Sequence, residues 1–162
     1  MPRKDVEGTI AGYISIRYDI TRRKQAEVAL LEENRRREQA ERLLRDIIEA
    51  IPNGITAYDA SDRLVLFNSA YREFYGVTAP AIYEGASFEG ILRYGLEHGQ
   101  FLNVRDTEAA RDAWLTSRLK DHQTPGRTFI QHVSGDRWLQ VQERRSRGGY
   151  VVGVRTDVTE LK

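Results

Sequence analysis

The last fourteen residues, Gly149-Tyr150-Val151-Val152-Gly153-Val154-Arg155-Thr156-Asp157-Val158-Thr159-Glu160-Leu161-Lys162, decide how the rest of the chain is read. A run rich in valine and free of proline reads as a strand, and it passes straight into Asp157-Val158-Thr159. The same word stands near the start, where Gly12-Tyr13-Ile14-Ser15-Ile16-Arg17-Tyr18 runs into Asp19-Ile20-Thr21. Aligned without gaps, the two copies share Arg, Asp and Thr, and they pair Val154 with Ile16 and Val158 with Ile20. A long charged segment follows the first copy, whereas the second ends the chain. The repeat predicts a length cut from a series of modules. Residues 1–20 are the tail strand of a preceding module, 21–51 a linker helix, and 52–162 a complete module.

Composition sets the bounds. A chain of 162 residues is one domain long and large enough to bury a core. A net charge of +1 gives no global argument for nucleic acid or an anionic membrane. Without cysteine there is no disulfide, no thiolate nucleophile and no cysteine-held metal. No apolar run approaches the ~20 residues of a membrane span, and the N-terminus lacks the apolar core of a signal peptide. A cytoplasmic chain is the expectation.

Between residues 9 and 18, Ile10, Ile14, Ile16 and Tyr18 fall on even positions and predict a strand with no sheet of its own in this chain. From Thr21 to Ile51 there is neither Gly nor Pro, and strong helix formers dominate. Asp19 or Thr21 is placed to cap the start, and Pro52-Asn53-Gly54 ends the helix. About thirty residues at ~1.5 Å each give a rod of roughly 45 Å, a coiled-coil-like linker. A seam through Leu30, Leu44, Ile48 and Ile51 predicts a parallel homodimer, although the charged middle, Glu32 to Glu38, weakens it and a solvated single helix is the alternative. Eight basic residues here interleave with seven acidic ones, so Arg22-Arg23-Lys24 and Arg35-Arg36-Arg37 read as a salt-bridged surface rather than a nucleic-acid patch.

Beyond Gly54 the texture changes. Strands are predicted over 54–59 and 63–68 with a turn at Ala60-Ser61-Asp62, then a short helix capped by Asn68-Ser69. Phe88, Ile91, Leu92 and Leu96 recur at helical spacing, and a further helix opens at Asp106-Thr107. Strands over 127–133, 137–145 and 150–156, punctuated by Ser134-Gly135-Asp136 and Gly148-Gly149, complete the module. Two strands, several helices and three strands joined by hairpins imply an α+β fold: one antiparallel five-stranded sheet with helices on a single face, preceded by a long N-terminal helix.

This order resembles the PAS domain, the sensor module of bacterial signalling proteins. The resemblance is carried by Ile51-Pro52-Asn53-Gly54-Ile55, Leu66-Phe67-Asn68-Ser69-Ala70-Tyr71, Ser134-Gly135-Asp136-Arg137-Trp138-Leu139 and the Asp157-Val158-Thr159 exit, and it covers about residues 44–162. The segment Ile91 to Phe101 with an extra helix behind it is similar to a subfamily common in multi-PAS histidine kinases. Residues 9–26 resemble the last strand and exit of an earlier PAS domain. The resemblance implies a noncatalytic sensory module of a two-component-type system. It would relay a signal through a helical linker to an effector outside the chain, such as a histidine kinase or diguanylate cyclase. The rival readings are a pure dimerisation scaffold without ligand and a small α+β pocket enzyme.

For the site, Asp157 and Thr159, and Asp19 and Thr21 in the earlier copy, are placed to couple sheet to linker by accepting N–H groups at the start of the next helix. A ligand pocket in the family's manner would be lined by Tyr58, Phe67, Phe88, Ile91, Tyr94, Phe129, Trp138 and Val152, with Gln131 and Gln140 as polar handles; the same aromatics can equally fill a closed core. His98 lies where oxygen-sensing PAS domains carry a haem ligand, though the end of a helix also suits a surface histidine. The flavin subclass needs an adduct-forming cysteine, which this chain lacks. No cofactor is the expectation, with haem or a small molecule as alternatives. No metal site, nucleophile elbow or phosphate loop is present in the sequence.

Overall fold

The structure is a computed structural model that describes the backbone of residues 2–161 and the side chains of residues 20–161. Residues Met1–Leu44 form one compact unit and Arg45–Lys162 a second. The first is helical, the opening part of α1 (Pro2–Ala50). This corrects two expectations. Residues 9–18 are helix rather than strand, because Ile10, Ile14 and Tyr18 also recur every fourth residue, and a helix pairs its backbone locally where a lone strand cannot. Asp19 and Thr21 therefore lie inside a helix instead of capping its start, and the Asp19 side chain lies outside the described residues.

The second unit carries β1 (Gly54–Tyr58), β2 (Leu64–Phe67), α2 (Ser69–Phe74), α3 (Phe88–Glu97), α4 (Glu108–Gln123), β3 (Phe129–Val133), β4 (Arg137–Arg145) and β5 (Val151–Asp157). A 3-10 turn at Gly76–Ala81 links α2 to α3, and another follows β5 at Thr159–Leu161. The five strands form one antiparallel sheet in the order β2-β1-β5-β4-β3. The predicted α+β architecture is the observed one, and the five strands begin and end within two residues of their expected bounds.

Local chemistry explains each junction. Ser87 accepts from Gly90 N at the start of α3, and Thr107 accepts from Ala110 N at the start of α4. Between β3 and β4, Gly135 and Asp136 both take positive φ (80° and 54°), the turn geometry that matches the twist of a hairpin. In the β1–β2 turn, Asp59 Oδ1 accepts from Ser61 N and Arg63 N.

Side chains alternate across the sheet. Thr56, Tyr58, Leu64, Val133, Leu139, Val141, Glu143, Val151 and Arg155 are buried, and Tyr58, Leu64, Val133 and Leu139 pack in one core with Tyr71, Phe88, Ile91, Leu92 and Leu115 of the helices. The buried side-chain amide of Asn68 uses both its oxygen and its nitrogen twice. Its Oδ1 accepts from Ile55 N (2.9 Å) and Tyr71 N (3.1 Å), and its Nδ2 donates to Ile48 O (2.7 Å) and Asn53 O (2.8 Å). Beside it both oxygens of Glu49 receive Ser69 N. The last turn of α1, the first strand and the start of α2 are thus tied at one buried point.

Candidate functional site

Between sheet and helices lies a cavity of about 10 Å³, walled by α2, α3, α4 and strands β3 and β5. That is close to the least space one water needs. Of the predicted lining, Phe88, Ile91 and Gln131 face it. Trp138, Gln140 and Val152 occupy the alternate positions of β4 and β5, on the sheet face away from the core. Trp138 stacks there on His132, with centroids 3.9 Å apart. Tyr94 stacks on His98 on the exposed side of α3. Phe67 lies under the Arg72 guanidinium and Phe129 under Arg118. Tyr58 is fully buried, edge-on to Phe88 and to His122. The aromatics have therefore filled a core rather than framed a large pocket.

Sequence reading missed the charged groups in this interior. Arg155 is 3% exposed and donates from Nη1 to Thr56 Oγ1 (2.7 Å) and from Nε to the Tyr75 hydroxyl (3.4 Å), with its guanidinium over the Tyr71 ring. Gly153 makes room for it, since a Cβ there would lie against Arg155 Nη1 and 2.7 Å from Thr56 Oγ1. The Tyr75 hydroxyl donates to Gln131 Oε1 at 2.5 Å. Arg118, between the Phe88 and Phe129 rings, donates from Nη1 to Glu143 Oε1 at 2.7 Å. Glu143 Oε2 meets His122 Nδ1 at 2.7 Å, and His122 lies flat on Phe88 at 3.6 Å. His122 Nε2 is 3.3 Å from Asp62 Oδ1, close enough for charge attraction but without hydrogen-bond alignment. Burial alone would raise the Glu143 carboxyl. The His122 hydrogen bond and the charges of Arg118 and Arg155 outweigh burial and hold it well below the usual carboxylate range. Burial pushes the Tyr58 and Tyr75 phenols up.

A signal for these residues existed. Leu115, Arg118 and His122 share one helical face, and Glu143 continues the inward alternation of Leu139 and Val141.

The exit motif forms a compact clip. Asp157 Oδ1 accepts from Thr159 N at 2.9 Å and from the Thr159 hydroxyl, and Asp157 Oδ2 is 3.5 Å from Arg137 Nε. Thr159 Oγ1 accepts from Trp138 N (3.0 Å), and Val158 N donates to Trp138 O (2.8 Å). The motif therefore ties the end of β5 to the start of β4.

His98 caps α3 at its exposed end, with Nδ1 2.8 Å from Tyr94 O. It does not line the cavity, and a space of one water does not fit haem. No group of three or more His, Cys, Asp or Glu among the described residues is placed to hold a metal. Of the predicted seam residues, Leu30 and Leu44 are exposed, Ile48 is buried in its own module, and Ile51 lies just past the end of α1.

The family model described as the PAS fold matches residues 48–162. The chain belongs to the PAS family, whose members are sensory modules of signalling proteins. It is 25% identical over 152 residues to the non-motile and phage-resistance protein of Caulobacter vibrioides, an alignment covering 94% of this chain and 15% of that protein. The chain thus spans a small part of that curated relative. Among solved structures it is similar to the PAS domain of BvgS from Bordetella pertussis, at 22% identity and a TM-score of 0.42 over 74% of this chain and 86% of that one. It is also similar to the PAS domain of an HTR-like protein from Haloarcula marismortui, at 15% identity and a TM-score of 0.46 over 78% and 98%.

The Glu143 cluster makes a pH-dependent contribution of known sign. Its carboxyl titrates lower folded than unfolded, so the folded state gains stability above the unfolded value and loses it as pH falls toward the folded one. Glu143→Gln should lower stability at pH 7 by about 3–5 kcal/mol and flatten the acid limb between about pH 5 and pH 2. Urea unfolding across that range checks this. Equal acid slopes for the two proteins would show that Glu143 carries no such charge.

Proposed function

We propose that this chain is a noncatalytic PAS sensory module that relays a signal to an effector outside it, such as a histidine kinase or diguanylate cyclase. It would act in the cytoplasm, as a homodimer paired through α1, with residues 52–162 as the sensory module and 21–51 as the linker. The observation that carries the relay is the exit clip. Asp157 and Thr159 hold the end of β5 to Trp138 of β4, so a shift of either strand would reach the residues that follow at one point. The noncatalytic reading is supported by the cavity lining, which contains no carboxylate and no histidine to act as an acid–base pair. Among the described residues no helix is long and apolar enough to cross a membrane.

One observation favours a second reading, a scaffold that positions its neighbours without an organic ligand. The interior is packed to about 10 Å³. Both readings use the same exit and the same helix. They differ in whether the interior responds to anything.

Two experiments test the proposal. Asp157→Ala in this chain should cost about 0.5–2 kcal/mol, the range for losing an exposed cap, and leave the fold intact. In a fusion to its natural effector the same change should alter the ratio of active to inactive output well beyond that loss. A fusion with unchanged output would reduce the clip to a structural fastening. For assembly, the exposed Leu30 and Leu44 are the seam positions free to meet a second chain. Light scattering at high micromolar concentration should give a dimer for the wild type and a monomer for Leu30→Asp/Leu44→Asp. A monomeric wild type would end the dimer proposal.

A further inference from the structure

The face of β4 and β5 turned away from the core carries an open concavity of about 470 Å³, walled by Gln142, Arg144, Arg145, Ser146, Val152 and Val154. Strand pairing assembles it, with Gln142 opposite Val154 and Arg144 opposite Val152. The two valines are half-buried and form an aliphatic floor, while Gln142 and Arg144 beside them are exposed. The hairpin at this end of the strands adds Arg147 and an exposed Tyr150.

The charge here has one sign. Arg144, Arg145 and Arg147 fall within four residues, and no acidic residue occurs from Arg144 to Thr156. Glu143, just before them, points into the core, where Arg118 and His122 take its two oxygens. Arginines elsewhere on the surface stand beside carboxylates, as Arg93 does with Glu89, Arg111 with Asp106 and Arg127 with Asp121. Among the described residues Arg144 and Arg147 have no ion-pair or hydrogen-bond partner, and Arg145 gives only Nη2 to Gln123 O (3.1 Å). Three cations without a counter-charge thus stand around an aliphatic floor, in a chain whose net charge is only +1.

We propose that this concavity docks an acidic segment of a partner protein that also carries an aliphatic side chain. Its carboxylates would meet Arg144, Arg145 and Arg147, which suit forked pairing with carboxylate, and its aliphatic group would rest on Val152 and Val154. The shape separates this occupant from others. Small-molecule sites bury most of their ligand, and an open trough would leave a free small molecule largely in water. An anionic bilayer would attract the arginines but is too flat to reach recessed valines. Nucleic acid would use the guanidiniums, yet a valine floor offers its phosphates no hydrogen bond. The proposal goes beyond the relay reading and does not depend on it.

The test uses the whole chain and a fluorescein-labelled synthetic peptide of glutamate and leucine, with two control peptides. One control replaces every glutamate by glutamine and the other every leucine by glutamine. Each control should bind about tenfold more weakly than the glutamate–leucine peptide, because each loses one half of the recognition. Arg144→Gln/Arg147→Gln should weaken binding about tenfold and reduce its salt dependence, whereas Val154→Thr should weaken it with the salt dependence kept. Should a variant fail to fold, amide chemical-shift mapping on the wild type answers without it, with peptide-induced shifts centred on residues 142–146 and 152–154. Shifts spread over other faces would overturn the site, and so would equal binding of the leucine-free peptide, which would reduce it to a plain charged patch. Phosphatidylglycerol vesicles that bind the chain and are not displaced by the peptide would overturn it in favour of a membrane surface. Self-association lost in Arg144→Gln/Arg147→Gln, with no peptide binding, would overturn it in favour of a second copy. None of these results touches the relay, which the Asp157→Ala fusion reads separately.

Discussion

Four hydrogen bonds from one buried amide, that of Asn68, hold together three elements, the end of α1, β1 and the start of α2. Its carbonyl oxygen caps α2 and receives the Ile55 amide of β1, while its nitrogen closes on two carbonyls, Ile48 O in the last turn of α1 and Asn53 O just beyond it. An aspartate would lose both donated bonds and a serine could not span the distances. The terminal carbonyls of a helix are unpaired by geometry and need a partner. Here the partner is a side chain at the edge of the sheet, so the last turn of α1 cannot move without disturbing β1 and α2. Glu49, which takes Ser69 N with both oxygens, adds a second fastening beside the first.

The interior follows from what this frame encloses. A sheet with helices on one face leaves a space between them, and here aromatic rings and two buried arginines fill it. The charges are arranged by strand parity. Glu143, Gly153 and Thr56 stand side by side across β4, β5 and β1, and the absent side chain of Gly153 lets Arg155 fold back onto Thr56. Arg118 and His122 reach the same carboxylate from α4. A buried ion cluster of this kind contributes little net stability compared with an apolar core, but removing one member leaves charge stranded. Its effect is to fix α4 to the middle of the sheet in one register.

Much of the fold was legible because each element announces itself locally. Hairpin turns, the Asn68 and Thr107 caps, and the break at Pro52-Asn53-Gly54 all fell where the residues placed them. The segment 9–18 was misread because its apolar residues satisfy two periods at once, and only the presence or absence of a neighbouring strand decides between them. The candidate site was less legible. Trp138, Gln140 and Val152 were assigned inward without an anchor for strand parity, and in β4 and β5 a shift of one residue exchanges the two faces. Buried arginines were missed because arginine is rarely buried. Leu115-Arg118-His122 on one helical face was the available signal.

The central claim is that Asn68 makes the last turn of α1 part of the module rather than a frayed end. Native-state amide exchange measures this directly. The account predicts that amides of residues 47–50 open with the same free energy as those of β1 and β5, their protection factors agreeing within about tenfold, because all are lost in one cooperative unfolding. Amides of 47–50 exchanging about a thousandfold faster, with β1 and β5 still protected, would show a helix end that opens by itself and would contradict it.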